Sequence, residues 1–248
     1  MTENVVIAWI FSLMTALSPP DKQRVTVAQE TVEEATARYQ DIAESIVRNA
    51  YDPNIKPAFG GPKGRLQTAL TVTMMFFWES GYRKDVDMGL ARGLTSKMGL
   101  NDHGRSWCMG QVNLGKKTWS DPETGEKFDD SEKATAEGWT GRDLVGDHNK
   151  CVVATIRILR GSMYDCRELP IEERLAAYIA GTCESKEAAA ESRKRMNVIF
   201  KRGQKMPNVN DKAIQSKLFP PEPKPEPAKP EPAPRDTVAD IPRVAETL

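Results

Sequence analysis

Residues 64–83 read GRLQTALTVTMMFFWESGYR, and this stretch decides the fold. Leu66, Leu70, Met74 and Phe77 recur at the three- and four-residue steps of one helix face, with Ala69, Thr73 and Phe76 beside them. The second half is apolar nearly all round, which predicts a helix buried in a core. Gly81 is a natural stop, because glycine adopts the left-handed backbone that ends helices. One carboxylate, Glu79, closes this helix among Phe76, Phe77, Trp78 and Tyr82. Scarce water there disfavours charge, so the carboxyl is expected to keep its proton. A carboxylic acid still protonated near neutral pH can donate to a glycosidic oxygen, and Ser80 would order the carboxyl or bond a substrate group. A glutamate at a helix end is more commonly a solvated residue or an ion-pair partner, so the residues alone leave both readings open.

Upstream, Val32, Ala35, Tyr39, Ile42 and Ile46 form the apolar stripe of an amphipathic helix over about 27–49. Asp52-Pro53 and Gly60-Gly61-Pro62 mark a loop before the decisive helix. The N-terminal run of about 5–17 is apolar and short for a bilayer span. It reads either as an uncleaved apolar helix or as a signal-peptide core. Ala16-Leu17-Ser18 has cleavage-site spacing, but no Lys or Arg precedes the run and Pro19 follows it.

Downstream, about 84–141 lacks periodicity and is rich in Gly, Asp and Thr, which suits short helices and a small hairpin. Helical steps resume after Asp147, a good N-cap, with Cys151, Ala154, Ile158 and Leu159 facing one way. A second helix is expected over about 171–179, with Pro170 at its start. A third, over about 185–202, carries Lys186, Arg193, Lys194, Arg195, Lys201 and Arg202, whose ordinary meaning is a solvated face. Pro220 to Pro234 alternates proline with charge and cannot form a core; an extended polyproline spacer is expected.

Composition narrows the function. The chain has 248 residues, 39% of them apolar, enough for one domain with extensions. Its 35 basic and 35 acidic residues give no global pull toward nucleic acid. The two histidines, His103 and His148, are too few for an ordinary metal site, and Cys108, Cys151, Cys166 and Cys183 show no CxxC spacing. Two disulfides and four buried thiols both fit that count. Phosphate-binding glycine loops and internal repeats are absent from the sequence.

Glu79-Ser80-Gly81-Tyr82 at the end of an apolar helix resembles the Glu-Ser-Gly-aromatic signature of soluble lytic transglycosylases and goose-type lysozymes. Further segments follow in that family's order. Residues 106–113 (Ser-Trp-Cys-Met-Gly-Gln-Val-Asn) resemble its cleft-lining Gly-Leu-Met-Gln-Ile-Asn, with Gln111 and Asn113 in place. Residues 144–159, with Asp147 and Asn149, resemble its Asp-Pro-x-x-Asn helix start. Ala177-Tyr178-Ile179-Ala180-Gly181 resembles Ala-Tyr-Asn-Ala-Gly, and the basic helix matches its closing helix. The likeness spans about 43–202. Ile179 replaces the family's asparagine, His148 its proline, and Cys108 and Gly110 stand where glycine and methionine are usual.

The resemblance implies a mainly α, lysozyme-like α+β domain at 36–205. An N-terminal helical segment or anchor (1–35) would precede it, and a disordered Pro-rich tail (206–248) would follow. It implies a peptidoglycan lytic transglycosylase in which Glu79 acts as acid and then base on the MurNAc-GlcNAc bond, leaving 1,6-anhydro-MurNAc ends without water. Substrate contacts would come from Ser80, Gln111 and Tyr178, and from Trp107 and Trp139 by stacking, although both tryptophans fit a core equally. Asp85, Asp87 and Asp102 are candidates for a second carboxylate, Asp87 first; one facing Glu79 across the cleft would make a hydrolase. Each also fits a loop-capping role. A Cys166–Cys183 disulfide would tether the Tyr178 helix, leaving Cys108 to pair with Cys151. Neither a metal nor an organic cofactor is implied. The expected partners are peptidoglycan glycan strands and an envelope or virion component met through the tail or the N-terminal segment, in a periplasm or a phage virion. Two rivals remain: a muramidase on the same fold, and a silent glycan-binding structural protein.

Overall fold

The computed structural model describes residues 2–23, 28–90, 106–114, 117–120, 127–130, 135 and 137–220, without side chains at residues 2, 3, 117–120 and 127–130. The architecture is mainly helical, as expected. Its helices are α1 (Thr2–Leu17), α2 (Val32–Tyr51), α3 (Gly64–Ser80), α4 (Lys84–Asp87), α5 (His148–Asp165), α6 (Ala176–Ala180), α7 (Lys186–Gly203) and α8 (Asp211–Leu218). Between α4 and α5 lie two antiparallel hairpins. One pairs β1 (Ser106–Trp107) with β2 (Val112–Asn113), the other β3 (Lys117–Ser120) with β4 (Lys127–Asp130).

The decisive helix is the hub. α3 touches α1, α2, α5, α7 and α8, and every residue from Thr68 to Phe76 is buried. Three threonines survive there because their hydroxyls return to the carbonyls four residues back: Thr68 to Gly64 at 2.7 Å, Thr71 to Gln67 and Thr73 to Ala69 at 2.8 Å. α2 begins at Val32, where Thr31 and Glu34 form a reciprocal capping box. The expected stripe of Ala35, Tyr39, Ile42 and Ile46 is buried, while Val32 itself is exposed.

Three findings differ from the expectations. First, the apolar N-terminal run is a core helix: Val6, Ile10 and Met14 of α1 are fully buried against α2, α3 and α8. A boundary at residue 35 therefore separates no independent body. Second, the helix expected over about 171–179 is broken into a 3₁₀ turn, Ile171–Glu173, and α6. Two buried serines replace its internal bonds. Ser192 Oγ donates to the Glu172 carbonyl at 2.7 Å and accepts from Leu175 N at 3.0 Å. Ser162 Oγ donates to the Arg174 carbonyl at 2.7 Å and accepts from Tyr178 N at 2.9 Å. Third, residues 206–220 are not tail. Asn210 caps α8, Ile214 is fully buried, and Asp211 accepts from the Tyr51 hydroxyl at 2.8 Å and from Arg65 N at 3.0 Å. The expected proline spacer beyond residue 220 lies outside the described residues. The four cysteines are paired as expected, Cys108 with Cys151 and Cys166 with Cys183. Among the described residues no helix is long and apolar enough to cross a membrane.

Candidate functional site

α3 ends in two successive left-handed residues, Gly81 (φ 60°) and Tyr82 (φ 56°). Tyr82 is fully buried, its hydroxyl donating to the Thr73 carbonyl at 2.6 Å and its ring edge-on to Tyr39. The Gly81 carbonyl accepts from Ser18 Oγ and Gln23 Nε2, each at 3.1 Å. The segment after α1 thus clasps the end of α3. Ser80 belongs to this clasp: its hydroxyl donates to the Phe76 carbonyl at 2.7 Å and accepts from Tyr82 N at 3.2 Å. Engaged with backbone on both sides and buried, it shapes the helix end instead of meeting a ligand.

Glu79 turns the other way, toward α7. Its Oε1 accepts from Arg195 Nη1 at 2.5 Å, with the carboxylate side chain 22% exposed and the guanidinium 14%. Arg195 lies over the Trp78 ring at 5.3 Å, and its Nε donates to Glu191 Oε1 at 3.1 Å. The surroundings of Glu79 are therefore half aromatic and half cationic, not apolar throughout. Burial opposes the charge on Arg195, but Glu79 and Glu191 outweigh it and hold the guanidinium above its ordinary range. The solvated face expected for the basic helix holds for Arg193 and Lys194, which are exposed, but not for Arg195. Neither Arg195 nor Glu191 was singled out by sequence reasoning. The signal was present: Ala188, Ser192, Met196 and Ile199 are the buried stripe of α7, and Arg195 stands three residues from Ser192 and four from Ile199, beside that stripe.

The β1–β2 hairpin meets α6 through Tyr178. Its turn contains Cys108 (φ 53°) and Gln111 (φ 48°); with Tyr82 these are the positive-φ non-glycine residues among the described residues. Left-handed backbone costs such residues about 1 kcal/mol each and tends to gather where function holds it in place. The Cys108–Cys151 disulfide pins the turn to α5. Gly110 sits so close beneath α5 that a Cβ would collide with Thr155 Oγ1 and press on Phe76. Gln111 Nε2 donates to the Cys108 carbonyl at 3.1 Å, closing the turn on itself.

Tyr178 joins the parts. Its hydroxyl donates to the Gly110 carbonyl at 2.5 Å. Burial first, then the negative charge of Glu79, raise its pKa well above the ordinary value, while Arg195 works against them. Tyr178 is thus bonded to the Gly110–Gln111 turn and feels the charge of Glu79, which is itself paired with Arg195. The Cys166–Cys183 disulfide fastens α6, which carries Tyr178, to the end of α5.

Other expected site residues lie elsewhere. Asp87 is buried, its Oδ2 2.9 Å from His148 Nε2 and 3.6 Å from Arg38 Nη1. His148 Nδ1 in turn meets Asp41. Asp85 is buried against Arg83, 3.0 Å from its Nε, and accepts from Val86 N at 3.0 Å. Asp85 holds the start of α4, and Asp87 ties α4 to α2 and α5. Asp102 lies outside the described residues. Trp107 packs on Gly141 with no room for a Cβ between them, and its indole Nε1 is buried with no hydrogen-bond partner. That is how a hairpin anchor sits, not a sugar platform. Trp139 is half-buried with Lys150 Nζ 5.9 Å from its ring centroid. Asp147 caps α5 by accepting from Lys150 N at 3.0 Å, and Asn149 accepts from Asn49 Nδ2 at 2.8 Å. Among the described residues no group of three His, Cys, Asp or Glu side chains is placed to hold a metal ion. Comparisons of the chain with family models, with curated proteins and with solved structures find no match.

Proposed function

We propose that the chain is a peptidoglycan-cleaving enzyme of the lytic-transglycosylase kind on a lysozyme-like domain, with Glu79 as its acid and base. One observation carries the reading. A partly exposed carboxylate at the end of a buried helix lies within electrostatic reach of the Tyr178 hydroxyl, which is itself bonded to the turn bearing Gln111. These residues come from three of the four quoted motifs, and Glu79 and Tyr178 lie far apart in the sequence. In this reading Glu79 protonates the leaving glycosidic oxygen. The resulting carboxylate then takes the proton of the muramyl 6-hydroxyl as that oxygen attacks the anomeric carbon, so one residue serves both steps and no water enters. The Tyr178–Gly110 bond and the disulfide hold this side of the proposed site fixed, which limits the reorganisation needed during reaction. Two disulfides suit an oxidising compartment, an envelope or a virion.

A hydrolytic reading has one specific support. Glu191 shares the Arg195 guanidinium with Glu79 and is a second carboxylate at the site, whereas Asp85 and Asp87 are committed to α4. Mass analysis of digested peptidoglycan distinguishes the outcomes. Anhydro-muramyl ends support the transglycosylase, reducing ends support the hydrolase, and glycan binding without products supports a silent structural protein.

A further inference from the structure

α4 is a single turn of four residues, too short to keep helical form unaided. It is held to the body by the buried Val86, by the Asp87 carbonyl, which accepts from Gly146 N at 2.9 Å, and by the Asp87 carboxylate, which is 1% exposed. That carboxylate has few partners. Its Oδ2 lies 2.9 Å from His148 Nε2 on α5 and 3.6 Å from Arg38 Nη1 on α2, while its Oδ1 has no hydrogen-bond partner. The other ring nitrogen of His148, Nδ1, meets Asp41 of α2. An imidazolium has two N–H groups and serves both carboxylates; a neutral ring has one and turns a lone pair toward the other. The two-sided arrangement therefore belongs to the protonated ring. Burial opposes that charge, and the hydrogen bonds and charges of Asp87 and Asp41 outweigh it. The other charges around the ring are already engaged. Arg38 Nε donates to Glu30 at 2.9 Å, Arg83 pairs with Asp85, Lys150 lies 3.1 Å from Asp147, and Lys84 Nζ donates to the Gln29 carbonyl at 3.0 Å. Loss of the ring proton thus leaves Asp41, Asp87 and Glu30 with Arg38 alone. Asp41, 66% exposed, turns to water, but Asp87 is buried and cannot. We infer that His148 is a pH-operated latch for α4. Protonated, it ties α4 to α2 and α5; on losing its proton to solvent it lets residues 84–90 open locally while the core stays closed. The latch follows directly on the end of α3 and stands whether or not Glu79 is catalytic.

Backbone hydrogen exchange on the full chain tests this, measured between about pH 6 and about pH 9, corrected for the intrinsic effect of pH, with and without sub-denaturing urea. The reporting amides are those of Asp87, Met88, Gly89 and Leu90, bonded to the carbonyls of Arg83, Lys84, Val86 and Asp85. Their protection in the native chain is expected to fall about tenfold across that range, the difference between a charge-assisted and a neutral bond. Urea is expected to change it little, because a local opening exposes little surface. Amides from Thr68 to Phe76 in α3 are expected to stay far better protected and to respond to urea. In His148→Gln, which keeps a neutral donor for Asp87, protection of the four amides is expected to be the same throughout. Asp41→Asn removes one of the two carboxylates that favour the charged ring, and the midpoint of the transition is expected to move to lower pH. Should His148→Gln fail to fold, that midpoint decides instead. Opening of α4 and α3 together with one urea dependence overturns the inference. So does protection that is unchanged by pH in the native chain, an equal fall in His148→Gln, or an unmoved midpoint in Asp41→Asn.

Discussion

Several single side chains hold unusual positions, and each has a measurable consequence. Gly110 has Thr155 and Phe76 where a Cβ would go, so Gly110→Ala is an overpacking change. It is expected to cost about 1–3 kcal/mol in chemical denaturation; an unchanged unfolding midpoint would show that the turn has room to move. Tyr178→Phe keeps the ring and leaves the Gly110 carbonyl without its partner, a loss of about 1–3 kcal/mol. His148 lies between Asp41 and Asp87. Burial opposes its charge, yet the two carboxylates outweigh that and raise its pKa above the ordinary value. The folded state therefore binds this proton more tightly than the unfolded chain. The stabilisation is complete below the ordinary histidine value of about 6.5 and is lost as pH rises through the folded value. Urea unfolding between about pH 6 and about pH 9 is expected to show native stability falling across that window, and a flatter profile in His148→Gln. Parallel profiles for the two proteins would contradict the assignment.

At the scale of elements, the two disulfides brace the segments that carry Gln111 and Tyr178. Cys108–Cys151 closes 43 residues and Cys166–Cys183 closes 17; on chain-entropy grounds they contribute about 4 and about 3 kcal/mol. Replacing Cys166 and Cys183 by serine is expected to lower the unfolding midpoint and to loosen amide protection in α6 before α3. Uniform loss of protection would mean that α6 and the core open together. α1 is the opposite case. Ile10→Ala removes a fully buried side chain and is expected to cost about 3 kcal/mol. What was legible in the sequence follows the same division. α2, α3, α5 and α7 announce themselves because apolar steps and caps such as Thr31, Asp147 and Ser185 are local signals. The break before α6 was not legible, because it depends on Ser162 and Ser192, hydroxyls supplied by α5 and α7. α8 was missed because its short stripe lies beside a proline-rich stretch, and its role depends on Tyr51 and Arg65 far away in sequence.

Across the whole molecule, α3 is both the hub of the core and the carrier of Glu79, so in the proposed function stability and chemistry share one element. Glu79 and the segments around Gln111 and Tyr178 could be proposed from short motifs because a helix end and a turn are local features of the sequence. Arg195 could not be read so, since the direction of a basic side chain on α7 is decided by Trp78 and Glu79 across an interface. The ion pair also makes a prediction for the intact protein. Arg195→Met leaves a partly buried carboxylate without its cation and is expected to cost about 1–3 kcal/mol of stability, read as a lowered unfolding midpoint. The central claim is that one carboxyl at the end of the buried helix cleaves the glycan. Its most direct test is mass spectrometry of purified peptidoglycan incubated with the native chain and with a folded Glu79→Gln variant. The account predicts anhydro-muramyl ends from the first and no cleavage products from the second. Equal product from both proteins, or none from the native chain, would contradict it.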